Sequence, residues 1–179
     1  MIYFTADFHF GHTKIIEYCN RPFTSAKEMD RVLINNYNSI VTDKDIVFIV
    51  GDLTMAGNSH KDYIRNLLSD LNGQKHLILG NHDQLKPFDY IELGITTVHT
   101  ALLMPNQLAL VHDPAVAEVD KTKTWLCGHI HTLFKMHNYI INVGVDVWNY
   151  HPVSIEVIES LIKDRDKALR EEKRGGYTL

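Results

Sequence analysis

Short apolar runs rich in β-branched side chains recur along the chain and predict a series of buried strands. The stretch DIVFIV is typical of them, since its apolar residues are unbroken after the first aspartate. The predicted strands cover residues 2–5, 45–50, 76–79, 96–104, 108–111, 124–127 and 139–143. A Pro-Asn-Gln turn separates the fourth from the fifth, so we expect these two to form a hairpin.

Apolar residues three and four positions apart predict helices between the early strands and at the end of the chain. Ser25, with Glu28 three residues later, is the expected start of the longest early helix. The predicted helices cover residues 13–19, 25–41, 58–71 and about 154–174. A loose tail is expected at 175–179, and the whole chain of 179 residues is expected to form one mixed α/β sandwich domain.

Composition and charge narrow the classes of function. Hydrophobic residues make up 45% and charged residues 22% of the chain, which is typical of a globular domain. The formal net charge of −4 gives no electrostatic footprint for duplex nucleic acid, and no apolar run approaches the ~20 residues of a membrane span. No signal peptide is expected from the first residues, and the two cysteines, Cys19 and Cys127, are expected to be reduced thiols. The expected location is therefore the cytoplasm.

Polar side chains with metal-binding atoms follow five of the predicted strands, at the point where each strand ends. The stretches are DFH at 7–9, GD at 51–52, GNHD at 80–83, HD at 112–113 and GHIH at 128–131. One such stretch alone would be ordinary turn chemistry. Because the carboxyl ends of neighbouring strands line one crevice in an open α/β sheet, five stretches could meet at one place. The glycines that precede several of them permit a tight or left-handed turn toward that crevice.

The residue types at these strand ends suit divalent metals. Asp, His and Asn without cysteine are ligands for Mn²⁺, Fe²⁺ or Zn²⁺. In extended chain, positions i and i+2 face the same side, so Asp7 pairs with His9 and His129 with His131. The set is larger than the four ligands of a tetrahedral zinc site. Two metals that share a bridging carboxylate fit the set better.

The order of these motifs resembles that of the calcineurin-like metallophosphoesterase superfamily. The resemblance runs from Asp7 to about Val143, with D-x-H, G-D, G-N-H-D, H and G-H-x-H in chain order. The flanking stretches DFHFGHTKII, NRPF and NVGVDVWNYHPVS resemble a small, compact bacterial and phage branch. The resemblance implies a four-layer αββα fold, which is a two-sheet β-sandwich flanked by helices, with a binuclear metal centre at the strand ends. One departure is Val111, since many relatives have glycine before the histidine at 112.

The resemblance also implies a role for each motif residue. The residues implied to hold one metal are Asp7, His9 and His131. The residues implied to hold the other metal are Asn81, His112 and His129, and Asp52 would bridge the two ions. His82 would be the catalytic histidine beside the substrate, and Asp83 would help to orient it. The expected ions are two Mn²⁺, with Fe²⁺, Zn²⁺, Ni²⁺ or Co²⁺ as alternatives.

The implied activity is hydrolysis of phosphate esters, with a metal-bridging hydroxide as nucleophile and His82 as general acid. Phosphodiesters, nucleotide-like ones included, are favoured because no long insertion could form a lid over the crevice. A phosphomonoesterase, a phosphoprotein phosphatase and a non-catalytic binding module of the same fold stay open as alternatives. His12 and Arg21 are candidates for contact with the substrate phosphate. Their alternatives are a helix start for His12 and a surface turn for Arg21.

Overall fold

The computed structural model describes residues 1–175, which form two mixed β-sheets and the helices that flank them. The strands are β1 (Ile2–Thr5), β2 (Ile46–Val50), β3 (Gln74–Ile78), β4 (Thr97–His99), β5 (Ala101–Leu103), β6 (Leu108–Val111), β7 (Thr124–Cys127), β8 (Met136–His137), β9 (Ile140–Asn142) and β10 (Val153–Ser154). The α-helices are α1 (Thr13–Tyr18), α2 (Ala26–Ile40), α3 (Lys61–Asp70), α4 (Pro87–Glu92) and α5 (Ile155–Gly175). Short 3-10 helices cover Asn58–His60, Pro114–Val119 and Val145–Val147.

The two sheets have five strands each, and the central strands of both are parallel. The first sheet has the order β10-β1-β2-β3-β4, with β1 to β4 parallel and β10 antiparallel to β1. The second has the order β5-β6-β7-β9-β8, with β6, β7 and β9 parallel between two antiparallel edge strands. A bridge between Ala6 and Gly144 joins the end of β1 to the segment after β9. The predicted fold class is confirmed.

Alternation of side chains along the strands builds a core on each face of the first sheet. On the inner face, Phe48 and Val50 of β2 pack in a cluster with residues of the second sheet such as Leu126. On the outer face, Val47 and Ile49 pack against residues of α2 and α3. Strands that are apolar on both faces are typical of parallel sheets with both faces covered. The polar ends of these strands are therefore where the chain leaves the core.

Most predicted elements are present within one or two residues of their expected bounds. The Ser25 hydroxyl accepts a hydrogen bond from the Glu28 amide at 3.2 Å, so the predicted start of α2 is confirmed. The Glu28 carboxylate bonds the amide and hydroxyl of Thr24, one residue before the cap. Of the expected tail, Gly175 ends α5, and residues 176–179 lie outside the described part of the chain. No helix within residues 1–175 is long and apolar enough to cross a membrane.

One prediction needs correction in its details. The stretch 96–104 was expected to be a single hairpin strand, but it contains two strands that belong to different sheets. β5 forms the predicted antiparallel hairpin with β6, whereas β4 pairs in parallel with β3. The chain crosses from the first sheet to the second at Thr100. The two strands are separate there because β4 pairs with β3 whereas β5 pairs with β6.

Candidate metal centre

Hydrogen bonds from backbone amides join strand ends of both sheets around one crevice. The Asp7 amide donates to the Gly51 carbonyl at 3.1 Å, and the His9 amide donates to the Asp52 carbonyl at 3.0 Å. The His129 amide donates to both carboxylate oxygens of Asp7, at 3.0 and 3.1 Å. These bonds extend the pairing of the strands beyond their ends. They bring the predicted ligands of both sheets to one side of the sandwich.

Five of the predicted ligands have a backbone conformation that is uncommon for residues other than glycine. Their φ angles lie in the left-handed region: Asp7 58°, His9 53°, Asp52 53°, His129 72° and His131 45°. Such conformations cost free energy and persist only where the surrounding structure imposes them, which happens often at functional sites. Here each one turns the chain at a strand end, so that its side chain points into the crevice.

The glycines beside the ligands mainly provide space. Gly51 has the expected positive φ of +87°, but Gly80 and Gly128 do not. A Cβ atom at Gly80 would lie 2.2 Å from Oδ1 of Asp52, and one at Gly144 would lie 2.5 Å from Oδ2 of Asp7. Of the expected tight or left-handed turns, Gly51 has the left-handed form, whereas Gly80 and Gly128 permit close approach to Asp52 and Asp7. The carboxylates occupy the room that side chains would fill.

The first group of ligand atoms comes from Asp7, His9 and His131, which lie within 4.8 Å of one another. His131 donates from Nδ1 to Asp146 at 2.9 Å, which leaves Nε2 available to a metal. Both ring nitrogens of His9 are buried without a hydrogen-bond partner among the described residues. Burial lowers the pKa of His9 to about 3, so its imidazole is neutral and has a free lone pair. A bound cation would accept the lone pair of this buried ring.

The second group is formed by Asn81, His112 and His129. The amide oxygen of Asn81 lies 3.1 Å from Nε2 of His112 and 3.0 Å from Nδ1 of His129. His112 donates from Nδ1 to the Val50 carbonyl at 2.9 Å, so its Nε2 faces the crevice. Although burial alone would lower it, the pKa of His112 is raised to about 9 by its hydrogen bond to Asp52 and by nearby carboxylates. The metal-binding atoms of His112 and His129 both lie next to the amide oxygen of Asn81, so the three residues can share one ion.

Asp52 lies between the two groups. Its Oδ2 atom is 3.4 Å from Nε2 of His9 and 3.3 Å from Nε2 of His112, one histidine from each group. Its other oxygen, Oδ1, accepts a hydrogen bond from the His82 amide at 2.9 Å. Asp7 also lies within 4.8 Å of Asp52 and His112 at their ligand atoms. Burial raises the pKa of Asp7, so its negative charge is incompletely compensated and a nearby cation would stabilise it.

The donor set fits divalent cations. Carboxylate, imidazole and amide oxygen groups are the ligands of borderline to hard metals, and thiolates are not needed for them. The protein atoms of such a site, taken alone, include ligand atoms without partners and incompletely compensated charge. The buried nitrogens of His9 and the carboxylate of Asp7 show these two features. The structure thus brings together all seven residues predicted as ligands.

His82 lies beside the ligands, and Asp83 binds the backbone segments next to it. The ring centroid of His82 is 5.3 Å from that of His9, at the wall of a cavity. The half-buried Asp83 carboxylate accepts hydrogen bonds from the amides of Gly80 at 2.8 Å, Asp52 at 2.9 Å and Leu53 at 3.1 Å. Asp83 therefore joins the ends of β2 and β3. It orients the loops that carry Asp52 and His82, and its oxygens are occupied by backbone amides.

Arg21 does not contact the substrate side of the crevice, so both sequence-based alternatives for it are wrong. Its side chain is fully buried, and its guanidinium holds Asp146 through two hydrogen bonds at 2.8 and 2.9 Å. The remaining N–H groups reach the carbonyls of Asp7 at 2.7 Å and Phe8 at 3.0 Å and the sulfur of Met29. Every donor has an acceptor inside the protein. Arg21 is a support for the strained segment that carries Asp7.

Asp146 and Asn142 are supporting residues that sequence reasoning missed. Asp146 accepts from both Arg21 and His131, and Asn142 donates to the His131 carbonyl at 2.7 Å. Together they fix the ring and the backbone of one predicted ligand. The only local signal was their place in the NVGVD stretch after a predicted strand.

A cavity of about 510 Å³ opens onto the first group of ligands. His9, His82 and His131 form its inner wall, and His12, Lys14 and Cys19 are among the residues around it. His12 precedes α1, and its Nδ1 atom is buried without a partner among the described residues. A substrate could therefore approach the ligands from this side, past His12.

Comparisons with known proteins identify the family of this chain and agree with its fold. The family model described as calcineurin-like phosphoesterase matches residues 1–164. An uncharacterized protein of Methanocaldococcus jannaschii is 38% identical over 178 residues, covering 94% of each chain. The Gene 66 protein of Mycobacterium phage L5 is 27% identical, covering 82% of this chain and 86% of its own. The crystal structure of a protein of unknown function from Aquifex aeolicus has a TM-score of 0.72 at 24% identity, covering 90% of this chain and 98% of its own.

Proposed function

Because the chain belongs to the calcineurin-like phosphoesterase family, we propose that it hydrolyses phosphodiesters with two divalent metal ions bound at the strand ends. The observation that carries the proposal is the position of Asp52, whose carboxylate lies between a histidine of each ligand group. We assign one ion to Asp7, His9 and His131 and the other to Asn81, His112 and His129. Asp52 would be shared by both ions, and Mn²⁺ is the ion we favour, since carboxylate and imidazole ligands suit it.

Two divalent ions held by these residues would supply positive charge to the phosphate and would lower the pKa of a water molecule, so that hydroxide is available near neutral pH. The chain's own residues supply the geometry. Arg21 and Asp146 hold the segments of Asp7 and His131, and Asp83 holds the ends of β2 and β3. This preorganisation keeps the donor atoms aimed at one point and reduces reorganisation during the reaction.

His82 is the proposed general acid. Its amide is anchored to Asp52 at 2.9 Å, so its position is fixed relative to the bridging carboxylate. Its half-buried ring borders the cavity, where a substrate oxygen can approach it. A leaving alkoxide needs a proton as the P–O bond breaks, and a positioned histidine is a common donor. His12, on the same cavity, is proposed to contact the phosphate.

Phosphodiesters are favoured over monoesters by the shape of the site. The cavity continues past His82 and His12 and leaves room for a second substituent on phosphorus. A monoester has a single organic substituent and would leave the room for a second one unfilled.

A hydrolysis screen tests this proposal. Mn²⁺-loaded protein is assayed with cyclic nucleotides, dinucleotides, oligonucleotides and simple phosphomonoesters, with Asp52→Asn protein as the matched control. We expect turnover of at least one diester, and little turnover by the control. Faster turnover of monoesters would move the assignment to a phosphomonoesterase. No turnover of any ester by metal-loaded protein would favour the non-catalytic alternative.

A further inference from the structure

A second cavity, of about 1020 Å³, lies beside the one that contains His82. The two cavities share His12, Lys14 and Met55 in their walls, so they form one continuous groove that leads away from the metal ligands. The volume is at the upper end of the range for small-molecule sites, about 300–1000 Å³. The groove can therefore hold a sizeable group attached to a phosphate at the metal centre.

One part of the second cavity presents an aromatic ring and apolar atoms. Tyr63 is 37% exposed, which leaves part of its ring accessible, and Met55 and the buried Phe10 also line the cavity. The Tyr63 hydroxyl donates to Asp30 at 3.2 Å, which fixes the ring. An aromatic ring held in this way is a stacking surface for a planar group.

Other lining residues are polar and carry no negative charge. Asn58 and Gln84 are exposed amide side chains, and each offers one acceptor and two donor hydrogens. Such amides can form paired hydrogen bonds with the edge of a nucleobase. Although the chain has a formal net charge of −4, none of the residues that line either cavity is an aspartate or glutamate. Lys14, at the junction of the cavities, adds a positive charge suited to a phosphate oxygen.

We propose that the second cavity binds the nucleoside portion of a phosphodiester substrate. The base stacks on Tyr63, Gln84 and Asn58 bond its edge, and Lys14 lies near the phosphate. This inference rests on the proposed function and names the substrate class of that site. The walls argue against a lipid tail, since exposed amides and a lysine would be buried beside it unpaired.

The test compares two esters with the same leaving group, thymidine 5′-(p-nitrophenyl phosphate) and methyl p-nitrophenyl phosphate. Wild-type protein should have the higher kcat/KM on the thymidine ester. Tyr63→Ala should reduce that value by about 5- to 150-fold, the usual weight of base stacking. Gln84→Ala should reduce it less, by about 2- to 12-fold. Tyr63→Phe, which keeps the ring but loses its bond to Asp30, should lose less than Tyr63→Ala. Gln74→Ala, at an exposed residue outside the cavity, is the control and should behave as wild type.

A second readout does not depend on the reaction. Saturation-transfer NMR with thymidine, which has no phosphate, should show transfer to the base protons in wild-type protein and a weaker signal in both alanine variants. Turnover of neither ester would contradict the proposed function, and the thymidine signal would still decide the inference. Equal kcat/KM on both esters, or a thymidine signal unchanged by both alanine variants, would overturn the assignment of the cavity.

Discussion

Replacing Arg21 with methionine should destabilise the protein more than an ordinary surface substitution does. Methionine keeps much of the length and apolar packing of the side chain but removes the charge and all hydrogen-bond donors. Asp146 would then be a buried carboxylate whose remaining described side-chain partner is His131, and the carbonyls of Asp7 and Phe8 would each lose a donor. Arg21 and Asp146 are 125 positions apart in the sequence, so the change loosens the contact between distant parts of the chain.

The expected size follows from the burial of both partners. The side chains of Arg21 and Asp146 are 0% and 1% exposed. Breaking a buried ion pair by removing one partner costs about 3–5 kcal/mol. In a domain of this size each 1 kcal/mol lowers the thermal midpoint by about 2–4 °C, so we expect a drop of about 6–20 °C. The metal centre should also weaken, because Asp146, which orients the ring of His131, loses the support of Arg21.

Thermal unfolding measured by circular dichroism, with metal absent and then with Mn²⁺ added, gives both effects. Arg65→Met is the matched control, since Arg65 is 54% exposed and pairs with Asp62 on the surface of α3. An exposed pair of this kind contributes about 0–1 kcal/mol, so the midpoint should fall by a few degrees at most. Adding Asp146→Asn to Arg21→Met should recover part of the loss, because it removes the unpaired charge. Equal midpoints for Arg21→Met and Arg65→Met would refute the reasoning.

Three further outcomes are expected. His82→Ala should retain its metal by elemental analysis but lose about 10²–10⁴-fold in rate on an alkyl ester and much less on a nitrophenyl ester, since nitrophenolate leaves without a proton; a lost ion would make His82 a ligand. Chelation should lower the thermal midpoint and abolish hydrolysis, and Mn²⁺ should restore both, because binding to the folded state adds stability; full turnover in excess chelator would contradict metal catalysis. Gly128→Ala should cost about 1–3 kcal/mol of unfolding free energy in urea titration, because its Cβ would lie 2.8 Å from that of Ala6 and 3.0 Å from Oδ1 of Asp7; an unchanged urea midpoint would show that the site relaxes freely.

The strand ends were predictable because their signal is local. In each case a few apolar residues are followed, directly or after a glycine, by a histidine, a carboxylate or an asparagine, as in IYFTADFH. The run of apolar residues locates the strand, and the polar residues after it locate its end. Parallel strands bring such ends together. Strands of two residues, such as β8 and β10, carry too little of a period to be predicted.

The supports of the site depend on contacts that no local pattern contains. Arg21 stands in a stretch, NRPF, that is typical of a turn, and its burial depends on Asp146 far along the chain. The left-handed conformations of Asp7 and His131 likewise result from hydrogen bonds made by neighbouring segments. Such features are set by tertiary structure, so the sequence identified candidate ligands but not what holds them.

The metal content of the loaded protein tests the central claim most directly. Dialysed Mn²⁺-loaded protein should contain about two ions per chain by elemental analysis, as a two-metal site requires. The Asp52→Asn variant should lose affinity for both ions, because its carboxylate lies 3.4 Å from Nε2 of His9 and 3.3 Å from Nε2 of His112. A single ion per chain, held equally well by wild type and Asp52→Asn with unchanged activity, would contradict the binuclear account.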